Sequence, residues 1–166
     1  MVEQYRLKGR EVLCNLVMDE MSKKNQVEFT GKTMTGYVHL GFQIHSDEME
    51  EAREVLVFML VGINGHWKIP VVYLILNGLN STEKAGVVQE VIKFVHESGV
   101  VITSFTFDGA PTNLKTATES GASFDTDNLK PYFSHPITGQ NIYIFLDACH
   151  MLKLVRNCLA DKGTNK

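Results

Sequence analysis

Residues 101–113 read VITSFTFDGAPTN. A run of β-branched and aromatic residues stops on Asp108, and Gly109 and Pro111 follow at once. The apolar part has the composition of a buried strand. Pro111 is tolerated in the first turn of a helix, and Gly121 ends the segment that begins there. The stretch therefore predicts a strand over 100–107, a tight turn and a helix over about 111–120, with a carboxylate at the strand's carboxyl end. Gly109 lets the chain turn sharply and keeps side-chain bulk away from that acid.

Upstream, Val87, Val88, Val91, Ile92 and Val95 recur at helical spacing behind a predicted N-cap at Ser81, with Glu83 near the positive end and Gly99 closing the segment. Before that helix lie EVLVFMLVGI (54–63) and KIPVVYLILN (68–77), separated by Asn64-Gly65-His66-Trp67, which predicts an antiparallel pair. Pro70 cannot donate to a ladder, so its strand belongs at a sheet edge or begins at the proline. EVLCNLVMD (11–19) predicts a central strand buried on both faces and ending on Asp19. A small hairpin is expected around Phe29 to Val38, followed by a charged loop over 43–53 (QIHSDEMEEAR). Downstream, the proline-containing stretch 122–141 reads as a surface loop, NIYIFLD (141–147) as a strand, and ACHMLKLVRNCLADKG (148–163) as a helix with an apolar stripe of Met151, Leu152, Val155, Cys158 and Leu159.

The order is strand, small hairpin, two strands, helix, strand, helix, loop, strand, helix. It predicts an α/β fold: a mixed five-stranded sheet with right-handed crossovers placing helices on both faces, plus the extra hairpin after the first strand. This is the order of the ribonuclease H-like fold.

At 166 residues, 44% hydrophobic and 21% charged, the chain has the size and composition of one globular domain. A formal charge of −3 argues against a free-standing nucleic-acid-binding module, because the net field does not attract phosphate. Cys14, Cys149 and Cys158 form no C-x-x-C pair, and reduced thiols in an intracellular compartment are expected. The apolar run over 55–62 is far short of the ~20 residues a membrane helix needs, and Met1 opens a polar stretch rather than a signal peptide. No membrane role is expected. Neither G-x-G-x-x-G nor a P-loop motif occurs.

Three predicted strands end on aspartate: Asp19, Asp108 and Asp147. Open α/β sheets bind ligands outside the carboxyl ends of their strands, so acids gathered there suit a hard cation such as Mg²⁺ better than zinc. The plainer reading of each is a helix cap or turn residue. Asp108 departs furthest from it, because the glycine behind it displays the carboxylate. Asp19 and Asp108 on adjacent central strands would repel unless a divalent ion lay between them. Asp147-Ala-Cys149-His150 is a weak zinc signal, with Cys149 read as packing and His150 as either packing or a phosphate-facing group. Lys153 and Arg156, one turn apart, read as a solvated face or as contacts to a DNA backbone. Asp125 and Asp127 lack the glycine and glutamate of a calcium loop, and Trp67 reads as a packed edge aromatic.

LVMDEMS (16–22), VFMLVGINGHWKIPVVYLILNGLNSTEKA (57–85), FDGAPTN (107–113) and FLDACHMLKLVRN (145–157) together resemble the catalytic core of P element-type DNA transposases, a group that includes the THAP-domain-containing relatives. The resemblance implies a ribonuclease H-like domain with an Asp, Asp, Glu triad that binds Mg²⁺ or Mn²⁺ and cuts and joins transposon ends. It assigns Asp19 and Asp108 to the first two acids, as catalytic residues and metal ligands. The third, a glutamate beyond a guanine-nucleotide-binding insertion, has no counterpart here. On this reading residues 1–166 are the N-terminal part of the domain, ending ahead of that insertion, and GTP belongs to the longer family protein. The resemblance also implies DNA as partner, an oligomeric parent and a nuclear location, with His150, Lys153 and Arg156 as candidate DNA contacts. The alternative is a domesticated, non-catalytic nuclear DNA- or protein-interaction module. A haloacid dehalogenase-type reading of FDGAPT fails because Thr106 stands where the nucleophilic acid is required.

Overall fold

The computed structural model describes residues 2–7, 9–22, 28–29, 31, 34–35, 37–38 and 51–163. A short helix α1 (Val2–Arg6) precedes β1 (Val12–Ser22). The small hairpin is β2 (Glu28–Phe29) paired with β3 (Met34–Thr35). Then follow β4 (Glu54–Gly62), β5 (Lys68–Leu76), α2 (Ser81–Glu97), β6 (Val100–Phe107), α3 (Pro111–Glu119), β7 (Tyr132–Ser134), β8 (Asn141–Leu146) and α4 (Ala148–Gly163). Most of the expected charged loop, residues 43–50, lies outside the described residues.

The main sheet runs β5-β4-β1-β6-β8-β7. β4 and β5 join β1 antiparallel, β6 and β8 continue it in parallel, and β7 closes the edge antiparallel. This is the mixed α/β sheet expected, with a sixth strand. Segment 122–141 is therefore not simply a loop: Phe133 is wholly buried, and β7 with the turn behind it pairs onto β8. A three-residue strand between Pro131 and Pro136 is too short for periodicity to register.

One face holds the core. Cys14, Leu16 and Met18 of β1, Phe58 and Leu60 of β4, Phe105 and Phe107 of β6, and Ile142 and Ile144 of β8 lie under Val88, Val91, Ile92 and Val95 of α2. Each fully buried aliphatic side chain there contributes about 1.5–3 kcal/mol relative to exposure. α3 docks beside α2, with Thr116 Oγ1 donating to the Ser81 carbonyl at 3.3 Å. The other face is only half-covered, so β1 is not buried on both sides as expected. Val17, Met59, Thr106 and Phe145 form one cross-strand row there, and Phe145 is 59% exposed. Asn15 bridges β1 to β6 on this face, accepting from Ser104 Oγ at 2.9 Å and donating to Thr106 Oγ1 at 3.0 Å. Helical cover for it would fall to α4, whose side chains are exposed from Leu152 to Ala160. The expected stripe of Leu152, Val155 and Leu159 thus stays at the surface.

Two local readings shift by physical detail. The α2 N-cap is Asn80 rather than Ser81: Asn80 Oδ1 accepts from the Thr82 and Glu83 amides, and Glu83 returns a bond to the Asn80 amide, a capping box. The Asn64-Gly65 pair sits in a longer turn, where Asn64 reaches β1 by accepting from the Leu13 amide and donating to the Glu11 carbonyl. Trp67 covers that turn, its indole 2.5 Å from where a Cβ on Gly62 would stand, so it is packed rather than displayed. Pro70 falls on the edge strand β5 beside a register shift, as its missing donor requires.

Candidate metal centre

β1 and β6 are parallel neighbours, with Val17 paired to Thr106. That is the last β1–β6 pair, so Asp19 on β1 and Asp108 just past β6 each lie two residues beyond it at the same end of the two strands. Side chains two residues apart in a strand share a face, so Asp19, inside β1, extends the Val17 row, whereas Asp108 stands in the turn after β6. β1 does not stop at Asp19, as expected, but runs three residues further against β4, with Asp19 paired to Val57.

Each carboxylate has one oxygen committed. Asp19 Oδ1 accepts from the Glu20 amide at 2.9 Å. Asp108 Oδ1 accepts from the Ala110 amide at 3.1 Å and from Asn113 Nδ2 at 2.6 Å. No described residue donates to either Oδ2. Two hard oxygens without donors among the described residues, one within β1 and one just past β6, suit a hard divalent cation. Among the described residues, no three His, Cys, Asp or Glu side chains gather as a metal-holding group.

The third strand-terminal acid is spent differently. Asp147 directly precedes α4; its Oδ1 accepts from the Cys149 amide at 3.0 Å and its carbonyl from the Met151 amide at 3.0 Å. That is capping, the plainer of the two readings. Its own amide donates to the Phe107 carbonyl at 2.9 Å, which seats the start of α4 beside the Asp108 turn. Met151 then packs on Gly109, where an added Cβ would lie 2.5 Å from Met151 Cε. His150 is half-buried, and Lys153 and Arg156 are exposed along α4; no described contact joins any of the three to Asp19 or Asp108. Cys149 and Cys158 are exposed free thiols, and burial pushes Cys14 up to about 12, leaving it protonated and inert. Asp125 and Asp127 are exposed, linked by an Asx turn.

Behind the acids lies a polar cluster that the sequence reading did not assign. Lys84 of α2 is 4% exposed. Its ammonium pairs with Glu20 Oε1 and donates to Asn113 Oδ1 at 3.0 Å. The available signal was positional: residues 81, 84, 85 and 88 fall on one helical stripe, and Lys84 interrupts its buried side.

A profile of the TNP-like, RNase H N-terminal domain family matches residues 2–121. The chain belongs to that family. Among curated relatives, the family member described here is 30% identical over 148 residues to the human DNA transposase THAP9, covering 87% of this chain and 16% of the relative. It is 27% identical over 152 residues to the Drosophila melanogaster transposable element P transposase, covering 91% of this chain and 18% of that protein. The chain thus spans less than a fifth of the length of either relative. Among solved structures, the Drosophila P element transposase strand transfer complex matches with a TM-score of 0.65 at 25% identity, over 87% of this chain and 28% of the other.

Proposed function

We propose that this domain is part of the catalytic core of a cut-and-paste DNA transposase, with Asp19 and Asp108 as two acids of a Mg²⁺- or Mn²⁺-dependent site for phosphodiester hydrolysis and strand transfer. The single observation that supports it most is that Asp19 in β1 and Asp108 just past its parallel neighbour β6 each lie two residues beyond the last β1–β6 pair, with one oxygen of each accepting from no described residue. Divalent ions held there would lower the pKa of a water or 3′-hydroxyl and stabilise the leaving oxygen. The chain's own part is positional: the Ala110 amide and Asn113 orient Asp108, while the Glu20 amide orients Asp19.

On the same reading, transposon-end DNA is the substrate, and His150, Lys153 and Arg156 line α4 at three-residue intervals from which a backbone could be met. GTP, oligomer formation and a nuclear location would, on this reading, come with a full-length family protein. The test is a calorimetric Mn²⁺ titration of this chain. Weak saturable binding that disappears in Asp108→Asn is expected, and a wild-type chain with no saturable binding would overturn the metal site. Little or no strand cleavage is expected from these residues alone, which hold two of the three acids the family implies. Strong Mg²⁺-dependent nicking, lost in Asp108→Ala, would show the two-acid account to be wrong. A second reading, a non-catalytic interaction module, is favoured by the exposed Leu152, Val155 and Leu159 on α4; it predicts no metal binding at all.

A further inference from the structure

Resting on the metal-site reading, we propose that Lys84 is a positioning residue for it, acting on Asp108 through Asn113. An ammonium has donors and no acceptor, whereas a carboxamide carries one of each kind. With Lys84 Nζ at 3.0 Å from Asn113 Oδ1, the amide has one acceptable orientation, in which Nδ2 faces away from the lysine. There it meets Asp108 Oδ1 at 2.6 Å. A flipped amide would set donor against donor at Lys84 and acceptor against acceptor at Asp108.

The same ammonium holds Glu20, the residue after Asp19. One cation on α2 therefore ties together both strands that carry the acids, β1 through Glu20 and the end of β6 through Asn113. Lys84 is 4% exposed and Asn113 likewise 4%, so water offers no substitute for either contact. Burying a charge in this way is costly unless it is paired and hydrogen-bonded, and both requirements are met by groups that border the site. Asp108 is left with one oxygen held and the other accepting from no described residue, in keeping with the way hydrogen-bonded outer partners orient metal-binding carboxylates.

The sign of one measurement separates positioning from charge. Removing a positive group near a cation site strengthens divalent binding if only Coulomb forces count. If Lys84 positions Asp108, Lys84→Met weakens it despite the lost repulsion, by about tenfold on the scale of outer-partner losses. Mn²⁺ affinity would be read by electron paramagnetic resonance on wild type, Lys84→Met, Asn113→Leu and the double variant, with circular dichroism as the check on folding. The double variant should lose no more than the worse single one, because both changes cut one chain of contacts. Unchanged or stronger binding in folded Lys84→Met, or losses that simply add, would overturn the proposal.

Two measurements keep it testable if Lys84→Met does not fold or the metal reading fails. In metal-free protein, the Asn113 side-chain amide proton resonances should move in Lys84→Gln, and unmoved resonances would refute the orientation claim. In wild type, Mg²⁺ should shift the Asn113 side-chain amide and the Ala110 backbone amide together. A shift in neither, with Mn²⁺ still bound, would also refute it. Failure of Asp108→Asn to alter Mn²⁺ binding sinks the metal site instead, and leaves the metal-free amide measurement to decide the role of Lys84.

Discussion

Asp108 and Asp147 end neighbouring parallel strands, each ahead of a helix, and each accepts from the amide two residues on. Their tasks nevertheless diverge. Asp147 abuts α4, so its oxygen and its carbonyl both serve the helix start. Asp108 is separated from α3 by Gly109 and Ala110, and the N-cap position falls to Ala110, which makes no side-chain cap. A side chain from inside that helix, Asn113, then reaches back to hold the acid. Two intervening residues convert a capping aspartate into a displayed one. Whether a strand-terminal acid is spent on a cap or left for a ligand depends on that spacing and on a second donor aimed at it.

Asp108→Asn breaks the comparison most sharply. It should abolish Mn²⁺ binding in calorimetry yet shift stability by less than about 1 kcal/mol, because an amide oxygen still accepts from Ala110 and Asn113. Asp147→Ala should do the reverse, leaving Mn²⁺ affinity in place and costing about 1 kcal/mol of urea-measured stability for the lost cap. Asn113→Ala should cost about 2 kcal/mol in the same urea titration, since a buried donor and acceptor both vanish and Lys84 loses a partner. An equal loss at Asp147 and Asn113 would mean that the two turns are built alike.

A third turn sharpens the contrast by using a group that titrates. His135, 6% exposed, follows β7, and its Nδ1 accepts from the Ile137 and Thr138 amides at 3.1 and 3.3 Å. Burial lowers its pKa below the ordinary 6.5, and the neighbouring His96, ring to ring at 5.1 Å, lowers it further. The unfolded chain therefore takes up a proton first as pH falls. Stability from this turn is full above about pH 6.5, declines below it, and levels off once the folded histidine itself titrates. His135→Asn keeps an acceptor for the turn and should flatten that part of the urea-midpoint profile between pH 7.5 and 5. A profile that Asn leaves as steep as wild type would assign the dependence to other groups. The smallest effect is expected at Gly109. Gly109→Ala places a Cβ against the terminal methyl of Met151, which can turn aside for under about 1 kcal/mol by thermal melting. A larger loss would mean that Met151 is held rigidly against the Asp108 turn.

Much of this architecture was legible in the chain. Strand β6 and helix α4 fall on the residues that composition and spacing indicated, and Pro111 and Gly121 bracket α3 as proline and glycine chemistry requires. Asp19 and Asp108 stood out because an acid ending an apolar run is unusual, and the family motifs marked the same pair. The short strand β7 was illegible because its pairing, not its pattern, makes it a strand. The apolar stripe of α4 was legible as a stripe, but amphipathicity cannot say whether anything packs on it.

Periodicity, turn residues and caps are local properties, and local interactions determined which segments of this chain are helix or strand and in what order they come. The β1–β6 register joins residues some ninety positions apart, and the Lys84 cluster draws on β1, α2 and α3 together. Those arrangements were decided by tertiary packing alone. A sequence records which side chains carry charge or apolar surface, but the partner each one meets depends on how every intervening element has folded.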